Sequence, residues 1–96
     1  MLSVNKMKYK DYYSEKLFDK LKKIKRKNKS LFDVTMKKID EILEHPETYK
    51  LLSYNMKDFR RVHVLKSFVL IFKVDPKKKV VKFEDLDHHD KIYSKN

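Results

Sequence analysis

An α+β domain is what this sequence predicts: an N-terminal helical hairpin packed on a small, largely antiparallel sheet, with a short C-terminal helix. Three observations carry that expectation. Apolar residues recur at helical spacing through two consecutive segments between Ser14 and Leu43. From Phe59 the pattern changes to alternation, and then to the unbroken apolar run Phe68-Val69-Leu70-Ile71-Phe72, which suits a central strand buried on both faces. A chain of 96 residues supports one modest core, so residues 1–96 read as a single domain.

Each element follows from its own residues. Val4, Met7, Tyr9, Tyr12 and Tyr13, set among lysines, suit an opening strand preceded by a loose end. From Ser14 the spacing of Leu17, Phe18, Leu21 and Ile24 predicts a helix with Lys16, Lys20, Lys23 and Lys27 on its opposite face. Asn28 is a stop signal. Ser30, followed three residues later by Asp33, resembles a capping box for a second helix that buries Phe32, Met36, Ile39 and Leu43. That helix ends at His45-Pro46, because a residue before proline avoids the helical region. The short connection at 27–29 makes the two helices antiparallel neighbours.

In the strand region, alternation over Phe59–Val64 sends Phe59, Arg61 and His63 one way, and Arg60, Val62 and Val64 the other. Val62 and Val64 are expected to face the helices, leaving Arg61 and His63 on the open face of the sheet. Asp75-Pro76 with the lysines at 77–79 reads as a turn. The chain then returns as a strand from Val80 to Glu84, with Val81 and Phe83 on one face. Asp87 is expected to cap a final short helix, with Asp90 at its third position and His89 and Tyr93 on one helical face.

Composition excludes several function classes. Cysteine is absent, which removes thiol catalysis, disulfides and cysteine-type zinc sites. Glycine is absent too, so neither a P-loop nor a Rossmann fingerprint can be built. No apolar run approaches the roughly 18–20 residues of a membrane span, and no signal-peptide core is visible, so a soluble cytoplasmic protein without membrane contact is expected. The net charge of +11 points to a polyanionic partner such as RNA, DNA, a ribosome or an acidic protein. Arginine is scarce, with only Arg26, Arg60 and Arg61, and two of these are adjacent.

Chemistry concentrates in two short stretches. Asp85-Leu86-Asp87-His88-His89-Asp90-Lys91-Ile92-Tyr93 follows the strand that holds Arg61 and His63. Histidine, with an ordinary pKa of about 6.5, gives or takes a proton near neutrality. Titratable groups gathered on a basic chain suit a site that handles a phosphate chain. Two other readings of the same residues exist. Asp85, Asp87, His88, His89 and Asp90 resemble a metal-ligand cluster, and the Asp-His-His triplet resembles that of the phosphoesterases named for it. Those enzymes are much larger and carry further aspartate motifs that this chain lacks, so no metal or other cofactor is expected. His63 can equally be an ordinary half-exposed strand residue, Tyr93 a packing anchor, and the lysines of the first helix a solvated face.

The order of elements and the motifs Lys57-x-Phe59-Arg60-x-x-His63-Val64, Phe68-Val69-Leu70-Ile71-Phe72-Lys73 and the terminal His-His-x-x-Ile-Tyr (His88 to Tyr93) resemble the RelE/ParE toxin superfamily. Its RelE- and YafQ-like mRNA interferase branch is the most similar. The resemblance runs from the helical hairpin to Tyr93. It implies a type II toxin that enters the ribosomal A site and cuts mRNA without a metal, silenced by a cognate acidic RelB-like antitoxin. The chain departs from the family's pattern in three places, one of them His89, which stands where many relatives have an arginine. Leu65-Lys66-Ser67 stands where most relatives have a glycine-containing turn, and no arginine opens the next strand.

RNA cleavage by its own 2′-OH needs a base for the hydroxyl proton, an acid for the leaving 5′-oxygen, and cations for the charge on phosphorus. His63 and His89 are the candidate acid–base pair, in either order, if the fold brings them together. Arg61 is the candidate bidentate phosphate ligand, and Tyr93 stacks on a base or orients the 2′-OH. Lys57, Arg60, Lys66, His88 and Asp87 are the candidate RNA-binding neighbours, with Asp87 able to fix a histidine tautomer. Three alternatives remain open: a ParE-like inhibitor of DNA gyrase, a noncatalytic RNA- or ribosome-binding module, and a degenerate toxin kept only for its antitoxin complex.

Overall fold

The computed structural model describes residues 8–51 and 58–93, except for the side chain of Tyr93. Val4, Met7 and Lys57 lie outside the described residues. The elements run β1 (Lys10–Tyr13), α1 (Glu15–Lys27), α2 (Lys29–Glu44), a 3-10 turn (Pro46–Thr48), β2 (Phe59–Val64), β3 (Phe68–Asp75), β4 (Val80–His88) and α3 (His89–Tyr93). The strands form one sheet in the order β1-β4-β3-β2, with β1 parallel to β4 and the other pairs antiparallel. Helices on a largely antiparallel sheet are the α+β architecture that the sequence predicts.

The apolar run of β3 divides between two cores because successive strand residues point to opposite faces. Leu70 and Phe72 join Leu17, Leu21, Leu31, Ile39, Ile42 and Val64 in the main core under α1 and α2. Val69 and Ile71 join Ile92 of α3 in a smaller cluster that Phe59 packs against. Val62 and Val64 face the helices as expected. Phe18 does not join the core. Its ring is half exposed, with the Lys22 ammonium 5.0 Å from the ring centre.

The helix junction differs from the expected capping box. Asn28 ends α1 by donating its N–H to the Ile24 carbonyl at 2.7 Å, and starts α2 by accepting from the Leu31 N–H at 3.1 Å. Ser30 lies inside α2, and Asp33 pairs with Lys29 instead. A one-residue hinge outcompetes Ser30 because the helix can begin earlier.

The feature that positions the C-terminal residues is a bulge in β4. Ile71 lies opposite Asp85 and Phe72 opposite Phe83, so Glu84 is an extra residue. Val81 and Phe83 occupy the main core before the bulge, and Leu86, opposite Leu70, occupies it afterwards. Without the bulge, unbroken alternation would carry Asp85 and Asp87 onto the core face. The bulge also lets β4 continue to His88, past the expected end at Glu84. Asp87 is therefore a strand residue and not the cap of α3; its carboxylate accepts from the His88 N–H at 2.8 Å.

Beyond Tyr13, the last residue of β1, the edge of β4 has no neighbouring strand among the described residues, and α1 supplies its polar partners. The Ser14 N–H donates to the Phe83 carbonyl at 2.9 Å, and the Ser14 hydroxyl donates to the Glu84 carbonyl at 2.7 Å. The same hydroxyl oxygen accepts from the Leu17 N–H and caps α1. One turn on, Lys20 Nζ reaches the Leu86 carbonyl at 3.2 Å, the buried Asp85 carboxylate at 2.7 Å and Asp87 at 3.0 Å. Lys16 adds a second ion pair to Asp85 at 3.2 Å. Burial works against both charges at Lys20 and Asp87. The carboxylates overcome it at Lys20 and hold that ammonium above its ordinary value. At Asp87 the His88 N–H and Lys20 overcome it, holding the carboxyl below its ordinary value.

Three outcomes test this framework. Asn28→Ala is expected to lower unfolding free energy by about 1 kcal/mol, while Ser30→Ala stays within about 0.5 kcal/mol, in denaturant titrations. Lys20→Met is expected to fall toward the lower end of the roughly 3–5 kcal/mol range for breaking a buried pair, because Lys16 still faces Asp85. The pH dependence has two limbs. The contribution of Asp87 is present above its ordinary carboxylate pKa and is lost as pH falls through its depressed value. That of Lys20 is complete below its ordinary value and is lost as pH rises through its elevated one. NMR titration should therefore show the Asp87 pKa rising in Lys20→Met.

Candidate functional site

His63 is exposed near the end of β2, two residues before the chain turns at Leu65. Leu65 adopts a left-handed φ of 56°, a conformation that disfavours a branched side chain and that glycine accepts freely. The Ser67 carbonyl in that turn accepts the His89 N–H at 2.7 Å. This bond ties the start of α3 to the turn that follows His63. The two imidazoles are thereby brought together, with ring centres 5.6 Å apart and planes inclined by only 18°.

That separation is in the range of stacked aromatic rings. It is too short for a phosphate to enter between the faces, so a phosphodiester must lie along the ring edges. The pair lines an open cleft of about 520 Å3 with Lys66, Ser67, His88 and Asp90. Asp90 Oδ1 lies 3.6 Å from His89 Nδ1, and both side chains are solvent-accessible. His88 packs at a tilt on Phe68, its cross-strand partner, with ring centres 4.4 Å apart.

Arg61 shares the face of β2 with His63 and lies opposite Ile71. Its Nε is buried without a hydrogen-bond partner among the described residues, so the guanidinium retains unused donor capacity. Arg60 points the other way. Its Nη1 donates to the Tyr49 carbonyl at 2.6 Å and the Glu47 carbonyl at 3.4 Å, which fastens the segment after α2 to the sheet. Arg60 is thus not brought to the histidine pair. Asp87 is held by Lys20 and the His88 N–H, with no bond to an imidazole ring. Tyr93 closes α3, four residues beyond His89. Lys57 lies outside the described residues.

Of the candidate residues, the fold gathers His63, His89, Lys66 and His88 in one cleft, while Arg61 shares only the β2 face of His63. The side chain that sequence reasoning missed is Lys20. It was one of four lysines on a helix face, and the only hint of its role was the pair of aspartates at 85 and 87, which needed a cation from somewhere in the chain.

Comparison with known proteins agrees with the fold. Residues 12–93 match the family described as the ParE toxin of the type II toxin–antitoxin system, parDE. The chain is 47% identical over 75 residues to the Methanocaldococcus jannaschii protein named "Putative toxin RelE4", covering 78% of this chain and 80% of that protein. A free-state variant of the Escherichia coli toxin RelE has 25% identity and a TM-score of 0.72, covering 92% of this chain and 93% of that one. The intact E. coli RelBE toxin–antitoxin complex contains a chain with 24% identity and a TM-score of 0.69, covering 83% of this chain and 95% of that one. With the family match spanning all of α1 to α3, this chain belongs to the RelE/ParE superfamily and is a toxin of a type II toxin–antitoxin system.

Proposed function

We propose that this toxin is a ribosome-dependent, metal-independent endoribonuclease that cuts mRNA in the A site by attack of the 2′-OH on the adjacent phosphorus. The observation that carries the reading is the stacked, exposed pair His63 and His89, built from two distant segments. A positive chain with two proton-transfer groups on one cleft has the parts this reaction needs. In one order His63 takes the 2′-OH proton and His89 protonates the 5′-oxygen; in the other the two exchange roles. Arg61 and Lys66 offset charge on the phosphorane, and Tyr93 stacks on a base or orients the hydroxyl. Lys57 and His88 extend the contact with RNA.

Partner chemistry follows from the same charge. A net charge of +11 suits a cognate, acidic RelB-like antitoxin, and the RelE chain of the E. coli complex is found with RelB. No helix among the described residues is long and apolar enough to cross a membrane, which is consistent with action in the cytoplasm. A second reading is supported by the family match itself, which is to the ParE toxin. In that reading the chain inhibits DNA gyrase, and the histidine pair has no proton to transfer.

Cleavage of a translated message by purified ribosomes distinguishes them. His63→Ala and His89→Ala are each expected to slow cleavage by about 10²–10⁴-fold, while excess EDTA leaves the rate unchanged. The parent rate should follow a bell-shaped pH profile, with one limb lost in each variant. Unimpaired cleavage by both variants would remove the histidines from the mechanism. Inhibition of gyrase supercoiling without mRNA cleavage would establish the second reading.

A further inference from the structure

The lysine stripe of α1 does not have one role along its length. Lys16 and Lys20 are engaged with Asp85 and Asp87, as described above. One and two turns further on, Lys23 and Lys27 lie four residues apart on the same helix, are exposed, and form no ion pair among the described residues. They line a cleft of about 430 Å3 between α1 and the far ends of β3 and β4. Its floor includes Phe68, Leu86 and Ile24, and its rim also carries Lys91. The one acid in the lining, Asp87, is already paired with Lys20.

His88 lines both this cleft and the one that holds His63 and His89, so the two adjoin at its ring. The junction between them is the tilted ring pair Phe68–His88. Aromatic rings at the base of a lysine-walled groove form the combination that holds single-stranded nucleic acid: a platform for a base and cations for the phosphates beside it. An acidic peptide would use the lysines but would gain little from the aromatic junction.

We propose that the α1–β4 cleft is a binding site for the phosphodiester backbone of a single-stranded RNA. Lys23 and Lys27 hold phosphates, and the Phe68–His88 pair supports a base of the strand as it leaves the histidine pair. The site rests on the polynucleotide reading of the protein but not on cleavage. Message and ribosomal RNA offer the same phosphate chemistry, so the test has an arm for each.

Binding is measured with an all-2′-deoxy oligonucleotide of about 12 nucleotides, which cannot be cut, across a range of salt concentrations. A second arm measures sedimentation with ribosomes carrying no message. The variants are Lys23→Gln/Lys27→Gln and a charge-matched control Lys37→Gln/Lys77→Gln at exposed positions elsewhere. Losing two phosphate contacts should make the slope of log affinity against log salt shallower by about 1.4 for a single strand, with weaker binding at every salt concentration. The control pair should leave the slope unchanged. A loss in the oligonucleotide arm assigns the cleft to the message, and a loss only in the ribosome arm assigns it to ribosomal RNA. Equal losses in the site and control pairs, or no loss in either arm, would overturn the proposal. If Lys23→Gln/Lys27→Gln loses binding while the parent fails to cut translated mRNA, the cleft stands and the ribonuclease reading falls.

Discussion

The open edge of β4 is the constraint on which the C-terminal half of this protein depends. β1 pairs with β4 only as far as Phe83, and the bulge at Glu84 follows at once. Backbone carbonyls there need donors that no strand among the described residues supplies. The first turn and a half of α1 provides them through Ser14 and Lys20. The same two side chains fix where α1 begins and how it sits against the sheet. A single ammonium bonded to two carboxylates and a carbonyl makes this helix–strand contact directional in a way that apolar packing alone does not.

The consequences reach the candidate active site. The bulge places Leu86 in the core and lets β4 run on to His88, so that α3 starts with His89 beside the β2–β3 turn. The His89 N–H bond to Ser67 closes the arrangement. Ile92 then anchors α3 over Val69 and Ile71. His63 and His89 are therefore held by backbone hydrogen bonds and a small apolar cluster on either side of them. The two imidazoles stay solvent-accessible while the apolar side chains that anchor α3 are buried.

Much of this was legible in local pattern. Helical spacing found α1 and α2, and the uniform apolar run identified β3 as the central strand. Two-residue alternation in β2 placed Val62 and Val64 toward the helices and put Arg61 and His63 together on the other face. These features are legible because burial of one face is encoded within each element. Other features were not. Asn28 serves two helices, so the pattern around Ser30 and Asp33 gave the wrong cap. Phe18 has an apolar identity but a position at the side of α1, where Lys22 covers its ring. Asp87 reads as a cap only if β4 stops at Glu84, and nothing local announces a bulge there.

By itself the sequence determined the kinds of element, their order, the buried face of each, the excess positive charge and the residue types available for chemistry. Tertiary structure alone decided which of those residues meet. His63 and His89 are brought together by a turn and a bulge, and Lys20 meets aspartates 65 and 67 positions away. The physical reason is range: periodicity reports the environment of a residue averaged along its own segment, whereas a hydrogen bond or ion pair depends on a specific partner within about 3 Å. Where that partner comes from elsewhere in the chain, strand register and packing choose it.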